Sequence, residues 1–265
     1  MSTTDQPRDP EEPAPPAGSG PTREAAPPPR PLYAGSAERP SYRPLGGRAA
    51  AAMAVLGLLL VLDAVAVGSS LLEVRLLDRI GAGENVSDAQ LDANDTRQGM
   101  IGLAQTALYL ACMITFISWL HLAYKNMEAI SPPFRRFGTG WAIGSWFVPI
   151  LNVWRPKQIV NDVWDSGSPA KKAPPWLMLW WLGFLVSGVL GRIAFPEPDA
   201  DATLEELRAD SVNYIVSDGF DVVVLALAIL VVRVLTRRQE VKAEAVGALP
   251  AGRPAPAPAP TGLPA

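Results

Sequence analysis

Residues 139–154 read TGWAIGSWFVPILNVW, and whether this stretch crosses a membrane decides the topology of everything around it. It is apolar but only 16 residues long, with Pro149 inside it and glycine or tryptophan at four of its first eight positions. At about 1.5 Å per residue, such a helix falls short of the roughly 30 Å hydrocarbon core. Pro149 cannot donate to a helix ladder and clashes with the turn before it, so the segment is expected to break near Phe147 to Pro149. Pro156 suits the first turn of a second helix. There Gln158, Asn161, Asp162 and Asp165 form a polar face, and Ile159, Val163 and Trp164 point the other way. Residues 139–166 are therefore expected to form a Trp-rich re-entrant or interfacial hairpin.

The stretches on either side are longer. Residues 49–72 contain one charge, Asp63; residues 101–124 contain none; residues 175–195 contain only Arg192. Residues 213–235 carry Asp218, Asp221 and Arg233 around an aliphatic centre, Val222 to Val232. Each is long enough to span a bilayer, which predicts an all-α integral membrane fold with four transmembrane helices. The distribution of basic residues favours the same count. If residues 139–154 do not cross, one side of the membrane collects 13 basic residues close to the spans, from Arg39 to Lys242, among them Arg135, Arg136, Arg155, Arg237 and Arg238. The loops on the other side, 73–100 and 196–212, keep only Arg75, Arg79, Arg97 and Arg208 beside twelve acids. By the positive-inside rule the basic side is cytoplasmic, and both termini lie there.

Outside the membrane domain, 49–235, the composition changes. Of 27 prolines in 265 residues, 12 fall in the first 44, and Pro254, Pro256, Pro258 and Pro260 alternate with alanine near the end. Residues 1–48 and 236–265 are read as disordered cytoplasmic tails, too poor in apolar surface to offset chain entropy. In the outer loops, Thr203 with Glu206 makes a capping box that would begin a helix leading to the last span, and Ser87 with Gln90 is a weaker case. Helices there would lift the spans beyond the lipid. Asn85 and Asn94 match a glycosylation pattern, and the acids from Asp199 to Asp210 resemble a calcium loop; both matches are weak, the second because Leu204 stands where the turn needs glycine.

Much chemistry is excluded by counting. A lone cysteine, Cys112, and a lone histidine, His121, leave no intrachain disulfide, no Cys/His zinc cluster and no CxxC pair. A GxSxG elbow, an HExxH motif and a phosphate loop are all missing, so no catalytic residue, metal or cofactor is assigned, and nothing points to nucleic acid. The ionisable residues inside the spans are the natural candidates, because each is costly there unless it faces protein or water. Asp63 and Asp221 lie at similar depth, about 13 and 12 Å from the same end of their spans, and two facing carboxylates can share a proton or a small cation. Asp218 joins them as a third candidate, three residues from Asp221 on the same helix face, and Arg192 is its expected structural partner. Gly183, Ser187 and Gly191 form a small-residue stripe for close helix approach, and Trp176, Trp180 and Trp181 an interfacial anchor.

The densest patch is the hairpin itself, where four tryptophans fall in 24 residues. Trp141, Trp146, Pro149, Asn152, Trp154, Arg155, Pro156 and Trp164 are its candidate motif or pocket residues. At Trp119-Leu120, Ala123-Tyr124-Lys125-Asn126, Trp141-Ala142-Ile143-Gly144, Trp146-Phe147-Val148-Pro149, Asn152-Val153-Trp154-Arg155-Pro156, Trp164 and Trp180-Trp181, the chain resembles the bacterial integral membrane family called domain of unknown function 4328. The likeness extends over about Ala49 to Leu235, with Ser145 where another bulky aromatic is expected. The resemblance implies a multi-span bacterial membrane protein and carries no activity to transfer. The leading expectation is a non-enzymatic interaction or envelope-associated scaffold in the plasma membrane, partnered by the lipid bilayer and by itself or other membrane proteins. The second is a small proton or cation transporter or channel using the intramembrane carboxylates.

Overall fold

The computed structural model describes residues 41–131, 135–167, 172–194 and 201–249, and their regular elements are all helical. In chain order they are α1 (Gly46–Gly81), α2 (Asp88–Ile130), α3 (Trp141–Gly144), α4 (Arg155–Gly167), α5 (Pro175–Ala194) and α6 (Leu204–Ala245), with a 3-10 turn at Leu151–Val153. Three of them, α1, α2 and α6, are long and apolar enough to cross a membrane. With 36, 43 and 42 residues they reach about 54, 64 and 63 Å. Each overshoots a hydrocarbon core of about 30 Å.

The overshoot has a local cause. Beyond the apolar stretches the chain continues in Arg, Glu, Gln, Lys and Ala, which favour helix as strongly as leucine does, so charge ends the apolar zone without ending the helix. The far ends are set by caps. Thr203 Oγ1 accepts the Glu206 N–H at 3.3 Å, and the Thr203 N–H donates to Glu206 Oε2 at 2.7 Å, a complete capping box; at Ser87 the N–H donates to Gln90 Oε1 at 3.1 Å. From Leu204 the acidic stretch is helix rather than a calcium loop, and Asp199 lies outside the described residues.

Both tail boundaries need correction. Tyr42 and Leu45, read as part of a disordered tail, are buried, and α6 runs ten residues past Leu235 with Gln239 and Ala243 fully enclosed. Asn126 accounts for the first: its side chain accepts the Arg43 N–H at 3.0 Å and donates to the Arg43 carbonyl at 2.7 Å. The rest of both tails lies outside the described residues.

α1 packs along α6 and α2, and α5 chiefly on α6. The core joins Ala49, Ala52 and Leu56 of α1 to Phe116, Trp119 and Leu120 of α2 and to Ala228, Val231 and Leu235 of α6. The alanines let α1 come close. The outward faces are equally apolar: Leu58, Val61, Leu103, Ile114, Leu182 and Val223 are all exposed. Helices that are oily on both the packed and the open side fit insertion into lipid.

The Trp-rich segment breaks where Pro149 requires. After α3 the chain tightens into three-residue turns, Trp146 N–H to Ile143 O (3.2 Å) and Phe147 N–H to Gly144 O (3.1 Å), before the 3-10 turn and α4. α4 departs from the expected surface helix. Asp162, placed on its polar face by sequence, is buried, because α4 packs across both α2 and α6 and Asp162 points at Tyr124.

Candidate functional site

Three of the sequence candidates meet in one cavity. Asp63 of α1 and Asp218 of α6 both accept from a single amide, Gln105 Nε2 of α2, at 2.9 and 3.1 Å. The two carboxylates therefore sit within two hydrogen-bond lengths of each other, and like charges so placed repel unless a proton or a cation comes between them. Asp221, one helical turn along, accepts from the hydroxyl of Ser187 on α5. The expected neighbours Asp63 and Asp221 thus share a cavity, but the residue tied to Asp63 is Asp218. The expected Arg192–Asp218 pair does not form: Asp218 takes the Gln105 amide, and Arg192 is exposed on the cavity's lining.

Gln105 was not among the residues singled out by sequence. The signal was present, since an amide in an otherwise oily span needs a partner as an acid does, though at a smaller penalty. The stripe on α5 divides by position. A Cβ at Gly183 would stand 3.0 Å from Val224 Cγ2, so glycine is what lets α5 approach α6, whereas Ser187 and Gly191 face the cavity.

The cavity has a volume of about 770 Å³. It runs from the carboxylates along Leu59, Cys112 and Val224 to a wall of Phe116, Trp146, Trp180 and Phe184. Gln105 and Phe116, on the same helix, mark its length at about 16 Å by helical rise. The aromatic wall is itself packed: Trp146 meets Phe116 and Phe184 edge-on at 5.8 and 5.7 Å, and Phe184 stacks on Trp181 at 5.3 Å.

The motif residues of the Trp-rich segment separate into distinct roles. Trp146 and Asn152 line the cavity. Trp164 packs edge-on against Trp176 at 6.1 Å and under the guanidinium of Arg238 at 3.8 Å. Arg155 lies over Phe137 at 4.1 Å and Trp141 at 5.7 Å, and Pro156 is buried at the start of α4. Trp141, Pro149 and Trp154 are exposed. Ser145, where an aromatic was expected, is fully buried, and its hydroxyl has no hydrogen-bond partner among the described residues.

Around this segment, polar groups of the helices are joined one to another. Trp119 Nε1 donates to Thr236 Oγ1 at 2.9 Å, and Gln239 Nε2 to the Ala123 carbonyl at 2.9 Å and Ser166 Oγ at 3.3 Å. Trp181 Nε1 donates to the Val153 carbonyl at 3.1 Å, tying the 3-10 turn to α5, and His121 Nδ1 lies 3.2 Å from the Thr139 carbonyl. The Tyr124 hydroxyl donates to Asp162 Oδ2 at 3.2 Å and accepts the Phe137 N–H at 3.0 Å. Burial pushes Asp162 above the usual carboxylate range, against the pull of Arg136 at 2.8 Å and of the Tyr124 hydroxyl. At the opposite end Ser69, Glu73, Asn94, Arg97 and Gln98 form a network across α1 and α2, including Asn94 Nδ2 to Glu73 Oε1 at 3.1 Å. Asn94 is buried there, which removes it as a glycosylation acceptor.

A family model matches residues 82–237, more than half of the chain. The chain belongs to the family described as Domain of unknown function (DUF4328). The matched stretch contains Gln105, Asp218, Asp221 and all of residues 139–166, but begins after α1, so Asp63 falls outside it and the likeness is shorter than the Ala49–Leu235 expected. No curated protein and no solved structure matches the chain.

Proposed function

We propose that this is a non-enzymatic, multi-pass plasma-membrane protein that takes up a proton or a cation at the carboxylates of its central cavity. In this reading α1, α2, α5 and α6 cross the bilayer, residues 139–166 dip into it without passing through, and both termini are cytoplasmic. The 20 residues of α5 give about 30 Å, just enough to cross. The asymmetry of basic residues supports the sidedness. One observation carries the functional part: Asp63, Asp218 and Asp221, brought from two helices, line a single cavity, with Gln105 holding the first two together. Carboxylates in an apolar bundle mark an ion or proton pathway when they face a cavity rather than a fixed basic partner.

The test is flux in proteoliposomes. Protein reconstituted at defined orientation should carry protons or sodium down an imposed gradient, and Asp63→Asn with Asp218→Asn should abolish that flux while leaving the protein folded. Equal flux in the double variant, or none above empty vesicles in the unaltered protein, would overturn the reading.

A second reading, an interaction scaffold, is favoured by Trp141, Phe147, Ile150 and Trp154, large apolar side chains left exposed on the hairpin. If it holds, replacing Trp141 and Trp154 by serine releases a copurifying membrane partner without changing flux.

A further inference from the structure

The size of the cavity says more than its charge. A water molecule or a small ion needs about 30 Å³ of space, whereas about 770 Å³ lies in the range that encloses an organic molecule. Its walls are mostly apolar. Leu56, Leu59, Val224, Leu225 and Ala228 form one side and Phe116, Trp180 and Phe184 another. A bare inorganic cation would leave that surface with nothing to cover it. The charged groups lie at one end: three carboxylates beside Gln105 and Ser187, with Arg192 the one basic side chain on the lining among the described residues, while Asn152 and the Trp146 indole are the polar groups at the aromatic end.

A second feature points to an occupant. Asp63 and Asp218 are only 4% and 7% exposed, yet each meets Gln105 through one oxygen, Oδ1. The second oxygen of each has no hydrogen-bond partner among the described residues. Neither oxygen is sealed inside protein: both residues line the open space, where a carboxylate oxygen with apolar surroundings is costly unless a donor, water or a positive charge meets it.

We propose that the cavity binds a lipophilic organic cation, its positive centre held by Asp63, Asp218 and Asp221 and its apolar body lying against Phe116, Trp180 and Phe184. This rests on the cation-binding reading above and names the class of cation. The separation along α2, about 16 Å between the carboxylate level and Phe116, sets the reach of such a molecule. Rings in the wall add to the attraction, because an aromatic face favours a delocalised cation over a neutral molecule of the same shape.

Two probes of nearly the same shape and opposite charge test it: tetraphenylphosphonium and tetraphenylborate, titrated by calorimetry into the full chain in detergent. The proposal expects saturable binding of the phosphonium, weakened about tenfold or more by Asp63→Asn with Asp218→Asn, and several-fold by Phe184→Ala. The borate should show no saturable binding. Should the double carboxylate variant not fold, Asp221→Asn alone carries the charge test, and it too should weaken the phosphonium several-fold. Equal saturable binding of both probes, or phosphonium binding indifferent to the carboxylates, would make the cavity an apolar slot for lipid and overturn the proposal. So would absence of saturable phosphonium binding. If proton or sodium flux survives while the phosphonium does not bind, this inference alone fails; if the phosphonium binds but no flux exists, transport fails and the ligand class stands.

Discussion

The two halves of the bundle treat polar groups in opposite ways. At the Trp-rich end the indole of Trp119, the amide of Gln239 and the hydroxyl of Tyr124 all reach partners on other segments, and the aromatic rings fill the space between them. Nearer the capped ends, three carboxylates share one amide and one hydroxyl around an open cavity, and α5 leans on α6 alone as its main support. The first half is tied together by bonds between segments, yet leaves buried atoms such as Ser145 Oγ and Asn152 Oδ1 without a partner among the described residues. The second is hollow, and its carboxylates face space that something arriving could fill. The cost of a substitution should therefore depend on which half it falls in.

The largest effect is expected from Trp119→Ala. It removes a fully buried indole and strands the Thr236 hydroxyl, and should cost about 3–5 kcal/mol, read as thermal unfolding in detergent. Asp63→Asn, equally buried but facing the cavity, should cost less than about 1 kcal/mol because an amide of the same shape still meets Gln105. If the two cost the same, the contrast between halves is lost. Gly183→Ala comes next. Its methyl would press on Val224 at 3.0 Å, so α5 must shift, at about 1–3 kcal/mol, and any ligand affinity should change with it.

The smallest effect concerns the cap at the start of α6. The Thr203 N–H and hydroxyl hold Glu206 below the usual carboxylate range. A folded-state value below the unfolded one adds stability above the ordinary glutamate range and loses it as the pH falls through the folded value. Acidification below the ordinary glutamate range should therefore fray the start of α6, seen as lower amide protection factors over residues 204–210, and Glu206→Gln, which cannot titrate, should weaken that pH dependence.

The apolar zones were legible in the sequence because lipid imposes a length and forbids charge, and the break at Pro149 because proline lacks a donor. The complete capping box at Thr203 was legible for the same kind of local reason. What escaped was whatever depends on a partner from elsewhere in the chain. Gln239 sits in a run that looks solvent-bound, and only Ala123 and Ser166, more than seventy residues away, make it a core residue. Asp162 lies on the polar side of an isolated α4, and becomes buried because Tyr124 and Arg136 are there to meet it. The three acids were visible as costly residues, and Asp63 and Asp221, expected at similar depth, line the same cavity. Which of them would be tied together was decided by Gln105, a neutral side chain that depth arguments pass over.

The central claim is that Asp63 and Asp218, joined by one amide, act as a unit. A double-mutant cycle measures this directly, using thermal unfolding of the intact chain with Asp63→Asn, Asp218→Asn and both. Coupling of at least about 0.5 kcal/mol between the two substitutions is the expected result, because removing either charge relieves the same repulsion. Strict additivity, with each substitution blind to the other, would contradict the claim.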